Sequence, residues 1–256
     1  MHKTLCVHVA AFTHPGLIRP HNEDCIAVGA WLGQGAMEQP AQFTLQVEEP
    51  LLCLVADGLG GHAAGEVASR YAAQRLSAEA GALGKDEAAV ADCLRRIHTD
   101  MQQEMRSQPN LVGMGTTVAG LIIAPAGITA FNVGDSRIYR QRQNQLLQVS
   151  NDDTPEAIYF GVADTLFRSH IITQCLGGLE MHREMVPHIV TQALEKEELY
   201  LLCSDGLTDM LNRHELEASL AEDLQETAHS LFKQAIAAGG NDNISIILAR
   251  VNVEGH

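Results

Sequence analysis

Acidic residues recur at one kind of place in this chain: beside glycine or asparagine, where an apolar run begins or ends. Asp57 follows Leu51-Leu52-Cys53-Leu54-Val55-Ala56 and precedes Gly58-Leu59-Gly60-Gly61-His62. Asp135 follows Phe131-Asn132-Val133-Gly134, and Asp205 follows Leu199-Tyr200-Leu201-Leu202-Cys203-Ser204. Asp242 stands before Asn243 and the run Ile244-Ser245-Ile246-Ile247-Leu248-Ala249, while Glu23 and Asp24 lead into Cys25-Ile26-Ala27-Val28. A single Asp-Gly is ordinary turn chemistry. Five acidic corners of the same design ask for one explanation. If they converge, each close pair repels by about 4 kcal/mol at 4 Å and an effective dielectric of 20. Several such pairs rival the roughly 5–15 kcal/mol that keeps a domain folded. Divalent cations relieve that repulsion. Oxygen ligands without clustered His or Cys suit Mg2+ or Mn2+ rather than Zn2+. Two such ions about 3.5–4 Å apart activate water and clamp the oxygens of a phosphoryl group for in-line displacement, so hydrolysis is the chemistry these residues point to.

Two further side chains fit that chemistry. Arg19 stands four residues before Glu23, and its planar fork matches a phosphate bidentately. His62 follows the glycines after Asp57; an imidazole beside a phosphoester can donate a proton to the leaving alkoxide. No Cys or Asp nucleophile stands apart from the acidic corners, which favours direct attack by water over a phospho-enzyme.

The elements that must position these groups read as strands in runs and helices in blocks. Thr4 to Phe12, Cys25 to Val28, Phe43 to Val47 and Leu51 to Ala56 have the short apolar or alternating character of strands. Gly29 to Pro50 otherwise reads as a long loop or hairpin. The glycines at 58, 60 and 61 are expected to take φ > 0 and bring the backbone close to whatever Asp57 binds. Val67, Ala68, Tyr71, Ala72 and Leu76 share a helical face, as do Val90, Leu94, Ile97, Met101 and Met105. Val118 to Val133 is largely apolar, but Pro125-Ala126-Gly127 at its centre predicts two strands and a turn rather than a membrane span. Ile138 to Val149 continues the sheet, Ser150 to Arg168 is irregular and acidic, and Leu216 to Ala238 is expected as one helix stopped by Gly239-Gly240. This succession predicts an α+β fold of mostly antiparallel sheets packed together with helices outside.

The 256 residues are most simply one large domain, and 46% hydrophobic with 19% charged residues suits a globule with a sizeable core. A formal net charge of −15 argues against nucleic acid as partner, since that binding rests on clustered Lys and Arg. Six scattered cysteines without a CxxC pair read as reduced core residues. The N-terminus shows no unbroken apolar h-region, so a cytoplasmic protein with no membrane association is expected.

Six motifs in order resemble the metal-dependent Ser/Thr protein phosphatases of the type 2C class in their bacterial form. They are Arg19 through Asp24 (Arg-x-x-Asn-Glu-Asp), Asp57 through His62, Gly115-Thr116-Thr117, Gly134-Asp135-Ser136-Arg137, Ser204-Asp205-Gly206-Leu207 and Gly240-Asn241-Asp242-Asn243. The resemblance covers nearly the whole chain. It implies a four-layer α-β-β-α sandwich forming a single catalytic domain over residues 1–256, with a variable flap at about 150–172. It implies two Mn2+ or Mg2+ ions, bridged by Asp57, with the Gly58 carbonyl on one and Asp205 and Asp242 completing the other. Glu23 and Asp24 would help hold the ions or their waters, and Asp135 with Asp205 would form a weaker third site. Arg19 would bind substrate phosphate. The activity implied is hydrolysis of phosphoserine and phosphothreonine in proteins by a metal-bridging water, on substrates of a Ser/Thr kinase, by a monomer. The alternatives are a catalytically silent metal- or partner-binding regulatory module of the same fold, or a hydrolase of a small phosphoester. The chain differs from the family pattern at Val149-Ser150-Asn151-Asp152-Asp153-Thr154 and at Ile172-Thr173-Gln174-Cys175-Leu176-Gly177.

Overall fold

The computed structural model describes residues 3–60, 63–84, 86–160, 171–178 and 184–255. Gly61, His62 and residues 161–170 of the expected flap lie outside the described residues. In chain order, β1 (Lys3–His14) runs into the loop that carries Arg19, followed by β2 (Cys25–Val28), β3 (Trp31–Gln34), β4 (Ala41–Gln46) and β5 (Leu51–Ala56). The two-residue β6 (Gly58–Leu59) leads to the helices α1 (Ala63–Leu83) and α2 (Glu87–Ser107). Then come β7 (Gly115–Thr116), β8 (Val118–Ala124), β9 (Gly127–Val133), β10 (Arg137–Arg142), β11 (Gln145–Gln148) and α3 (Pro155–Phe160). β12 (Leu176–Gly177), β13 (His188–Gln192), β14 (Glu197–Cys203), α4 (Asp205–Thr208), α5 (Arg213–Ala218), α6 (Leu224–Ala237) and β15 (Ile244–Gly255) follow.

Two six-stranded sheets form, ordered β11-β10-β14-β15-β1-β4 and β13-β9-β8-β5-β2-β3, with antiparallel neighbours. Side chains alternate between the two faces of a strand, and with both faces covered β5 and β8 are apolar without interruption. On β5, Leu52, Leu54 and Ala56 face α1 and α2, where they meet Leu76, Leu94, Ile97 and Met101. Cys53 and Val55 face the other sheet and meet Val9, Leu202 and Ile247. β14 repeats the logic: Tyr200 and Leu202 point between the sheets, and Leu201 and Cys203 pack with Leu216, Ala228 and Leu231 of α5 and α6. Three apolar layers therefore separate four structural ones, the α-β-β-α sandwich expected. Each fully buried Leu or Val contributes about 1.5–3 kcal/mol. Between β8 and β9, Gly120 lies opposite Phe131, whose ring fills the space of the missing side chain; a Cβ there would stand 2.3 Å from it. β8 and β9 with the Pro125–Ala126 turn are the predicted hairpin, and among the described residues no helix is long and apolar enough to cross a membrane.

Four expectations are corrected. The stretch from Gly29 to Pro50 holds two strands, not one, because Trp31–Gln34 pairs with β2 as an edge strand; its Leu-Gly-Gln sequence carries no alternation to reveal it. The helix expected over Leu216–Ala238 is two helices, α5 and α6. Asn212 and Glu215 form a capping box at the first, and the Asp223 side chain accepts from Gln225 and Glu226 amides at the second, so local capping outweighs apolar periodicity. Val67 lies on the exposed side of α1, whose buried stripe is Ala64, Ala68, Ala72 and Leu76. Gly58 does not take positive φ; its glycine serves another purpose, described below. A small sheet, β12-β7-β6, was not foreseen.

Candidate active site

The strand registers bring the acidic corners to one end of both sheets. Cys25 pairs with Ala56, Val55 with Ala119 and Val118 with Val133, so Asp24, Asp57 and Asp135 leave the second sheet at the same edge. In the first sheet Cys203 pairs with Ile246 and His14 with Ile244, which sets Asp205, Asp242 and the Arg19 loop together. Glu23, Asp57, Asp135, Asp205, Asp209 and Asp242 line one cleft of about 1040 Å3, with Arg19 and His21 at its rim.

Asp57 is held through its peptide. The Thr117 amide (2.9 Å) and the Thr116 hydroxyl (2.8 Å) donate to its carbonyl, and its own amide donates to Thr117 Oγ1 at 3.3 Å. Thr117 Oγ1 also shares a hydrogen bond with Ser136 Oγ (2.7 Å), which neighbours Asp135. The Gly115-Thr116-Thr117 motif thus ties two acidic corners to one strand. Gly58 is required by close approach: a Cβ would meet Gly65 O at 2.3 Å and Glu23 O at 2.4 Å. Gly60 does adopt positive φ, +119°, as expected.

The electrostatics record the crowding. Burial and the charges of Asp24, Asp205, Asp135 and Asp242 push the Asp57 carboxyl well above the usual carboxylate range. Asp205 rises to about 8 through burial and the nearby Asp135, Asp209 and Asp242, and its side chain comes within hydrogen-bonding reach of Asp57. Asp24, fully buried behind the cleft wall, rises to about 7 mainly by burial, although the Ser245 hydroxyl donates to it at 2.6 Å. Asp135 rises to about 6 through burial and the charge of Asp152. Oδ1 of Asp24 and Oδ1 of Asp205 are buried with no hydrogen-bond partner among the described residues. Orphaned anionic oxygens among mutually repelling acids are the condition that a hard divalent cation satisfies. Among the described residues no three His, Cys, Asp or Glu side chains are already grouped as a metal ion would need them; the acids line a common cleft.

Arg19 and Asp242 form an ion pair at 2.6 Å, with the Arg19 side chain 54% exposed. Sequence spacing related Arg19 to Glu23, but its direct contact is with the acid farthest from it in the chain. Asn243 makes that possible. Its Oδ1 accepts from the Glu23 amide (2.8 Å), its Nδ2 donates to the Pro15 (3.1 Å) and His21 (2.9 Å) carbonyls, and its amide donates to Asp242 Oδ1 (2.8 Å). One side chain therefore fastens the Arg19–Asp24 loop to Asp242. Asn22 adds a second tie, donating to Thr13 Oγ1 (2.8 Å) and accepting from the Asp24 amide (3.1 Å).

Asn243 and Asn22 belong to quoted motifs, yet their type alone did not reveal them as clamps. Asp209 was missed although it follows Asp205 by four residues, a spacing that keeps two side chains on one helical face. At the flap base, Asp152 is buried against Arg137, whose Nε and Nη2 approach its Oδ2 at 2.9 and 2.5 Å. Gln174 bonds the Val186 carbonyl (2.8 Å) and amide (3.1 Å), and the Gly177 amide donates to His98 Nδ1 at 3.2 Å. The segments that differ from the family pattern are therefore anchored by their own contacts.

Comparison with known proteins places the whole chain rather than its single residues. The family model described as Protein phosphatase 2C matches residues 32–245. The serine/threonine protein phosphatase PstP of Mycobacterium tuberculosis is 32% identical over 97% of this chain. This chain spans only 46% of that protein's length. The serine/threonine phosphatase stp of Listeria welshimeri is 33% identical, over 96% of this chain and 97% of its own. The crystal structure of the PstP catalytic domain, in complex with two manganese ions, superposes with a TM-score of 0.76 at 30% identity, covering 97% of this chain and 99% of that one. The matched region contains Asp57, Asp135, Asp205 and Asp242, and the longer pairwise likenesses cover almost all of the chain, so the chain belongs to the protein phosphatase 2C family.

Proposed function

We propose that this chain is a Mg2+- or Mn2+-dependent phosphatase that hydrolyses phosphoserine and phosphothreonine in proteins. The observation that carries the reading is the pair of orphaned, buried carboxylate oxygens on Asp24 and Asp205 beside Asp57. Asp57, Asp205, Asp242 and the Gly58 carbonyl would hold two ions, Asp135 with Asp205 a weaker third, and Glu23 and Asp24 would support them. When bound, the ions supply an acidified water and neutralise charge on the phosphoryl oxygens.

The rest of the chemistry falls to the chain. Arg19, already turned toward Asp242, keeps donors of its fork for a phosphate at the rim and holds it over the acidic floor. Asn243 and Thr117 keep the floor's members from drifting apart, so no reorganisation is needed when charge develops. Asp24 acts from behind the wall, through its charge and its bond to Ser245. The cleft of about 1040 Å3 has room for a phosphorylated side chain together with neighbouring residues of its protein segment. The convergence of Glu23, Asp57, Asp135, Asp205 and Asp242 on one cleft weighs against the alternative of a catalytically silent module of the same fold. One catalytic domain over residues 1–256, acting as a monomer in the cytoplasm on substrates of a Ser/Thr kinase, completes the proposal; all six cysteines are free thiols, as a reducing compartment requires.

The test is turnover of p-nitrophenyl phosphate by chelator-stripped protein. No turnover is expected until Mn2+ or Mg2+ is added, with Ca2+ a poor substitute because its longer, looser coordination misplaces the water. Full activity in chelator overturns the proposal.

A further inference from the structure

Asp153 lies in a stretch that differs from the family pattern, and its backbone and side chain connect three separate segments. Its amide donates to the Gly134 carbonyl at 2.9 Å, and the Gly134 amide returns a bond to Asp153 Oδ2 at 2.8 Å. The Thr173 amide donates to its carbonyl at 2.7 Å. Its remaining oxygen, Oδ1, meets His188 Nε2 at 2.8 Å. The Asp153 side chain is 8% exposed, that of His188 33%.

What these bonds hold is more telling than their number. Gly134 immediately precedes Asp135, and Thr173 immediately follows Ile172; Asp135 and Ile172 both line the cleft. Gly134 sits at φ +100° against Thr117, where no side chain would fit, and a glycine at such a turn is held by its hydrogen bonds rather than by its own stiffness. His188 is itself seated by the β13–β9 ladder opposite Asn132, and the Asn132 side chain donates to the Gly134 (3.3 Å) and Asn151 (2.7 Å) carbonyls. The strand register therefore delivers the imidazole to Asp153 from a rigid element.

We propose that His188 is a positioning residue for protein substrates: by holding Asp153, it sets the Asp135 turn and the Ile172 wall of the cleft together. It touches neither substrate nor reacting atoms. The inference rests on the phosphatase reading above and adds to it that the cleft wall and the Asp135 site are joined through Asp153. A small aryl phosphate, which needs only the Asp57 centre, does not depend on it; a phosphopeptide spanning the cleft does.

The experiment compares wild type, His188→Ala and His188→Gln, full chain with Mn2+, on p-nitrophenyl phosphate and on a phosphothreonine peptide, with amide hydrogen exchange at Gly134 and Thr173. In His188→Ala, kcat/KM on the peptide is expected to fall about tenfold, in keeping with a small misplacement of site groups, while the aryl phosphate stays within about twofold. Exchange at the Gly134 and Thr173 amides should quicken about tenfold with the rest of the chain unchanged. His188→Gln, which keeps a donor, should recover most of both. Adding His188→Ala to Asp135→Asn should cost the peptide reaction much less than it costs wild type. Equal losses on both substrates, or exchange that quickens throughout the chain, would mean a general structural role and overturn the proposal. So would unchanged peptide kinetics with unchanged exchange. If wild type turns over neither substrate, the phosphatase reading fails and takes the kinetic claim with it, while the exchange data still decide whether His188 fixes the two amides.

Discussion

Replacing Gly58 by alanine adds one methyl group at the tightest point of the site. Its Cβ would stand 2.3 Å from Gly65 O, 2.4 Å from Glu23 O and 2.5 Å from Gly65 C. All three are backbone atoms, so no side-chain rotation relieves the clash. Reaching even the 3.0 Å below which real Cβ contacts essentially do not occur takes about 0.7 Å of backbone movement, an overpacking that costs roughly 1–3 kcal/mol. For a chain of this size that lowers Tm by about 2–12 °C. The atoms that must yield carry the site. The Glu23 carbonyl accepts from Ser69 Oγ at 2.5 Å, and Glu23 Oε2 lies against Gly65, so the Glu23 corner and the start of α1 are pushed away from Asp57. A displacement approaching 1 Å among catalytic groups costs on the order of 10²-fold in rate. The assay is kcat on p-nitrophenyl phosphate at saturating Mn2+, with thermal melts. Gly81→Ala is the control: it lies within α1, where an added Cβ meets nothing within 4 Å among the described residues, and it should keep activity and hold or gain stability. Wild-type turnover and Tm in Gly58→Ala would refute the reasoning.

Three other outcomes follow from the same geometry. Asp57→Asn should lose both tight ions and several kcal/mol of transition-state stabilisation, with Asp205→Asn and Asp242→Asn close behind, whereas Asp135→Asn should still bind two ions by calorimetry yet turn over phosphopeptide poorly; the reverse ranking contradicts the assignment. Arg19→Ala should raise KM more than it lowers kcat, and because its pair with Asp242 is exposed on the arginine side, Tm should shift little; an unchanged KM would leave Arg19 without a role in binding phosphate. In chelator, stability should fall as pH rises. Asp24, Asp135 and Asp205 have folded pKa values of about 7, 6 and 8 against an ordinary 3.8, so the folded chain retains protons that the unfolded chain has released. That contribution is complete below about pH 4 and is lost through pH 6 to 8, so melts at pH 5 and pH 8 should show the lower Tm at pH 8 and the larger Mn2+ rescue there, and a Tm independent of pH would contradict it.

The central strands were legible in the sequence because they bury both faces: β5 is apolar throughout and β14 is apolar from Leu199 on, and a run of that kind ending in Asp-Gly or Ser-Asp-Gly marks a strand and its lip at once. The acidic corners could be found one by one. Their convergence could be argued only from repulsion, since the registers that align Cys25 with Ala56 and Cys203 with Ile246 depend on pairings far apart in sequence. What stayed hidden was of two kinds. Edge and cap detail, such as Trp31–Gln34 and the break between α5 and α6, turns on local hydrogen bonds that leave weak periodicity. Clamps such as Asn243, Thr117 and Asp153 act through backbone groups of distant segments, and nothing in an Asn, Thr or Asp announces which carbonyl it will meet. Of the two reasons expected for a glycine at 58, positive φ fails and close approach holds, but to the Gly65 and Glu23 backbone; the two leave the same mark in a sequence.

The central claim, that an acidic floor built around Asp57 holds the ions on which phosphoester hydrolysis depends, is tested most directly by phosphate release from a phosphothreonine peptide as Mn2+ is titrated into chelator-stripped wild type and Asp57→Asn. Wild type should rise from no detectable release to saturation, and Asp57→Asn should remain at least about 10³-fold slower at every Mn2+ concentration, equivalent to about 4 kcal/mol. Release by stripped wild type at its full rate, or an Asp57→Asn curve that follows wild type, would contradict the claim.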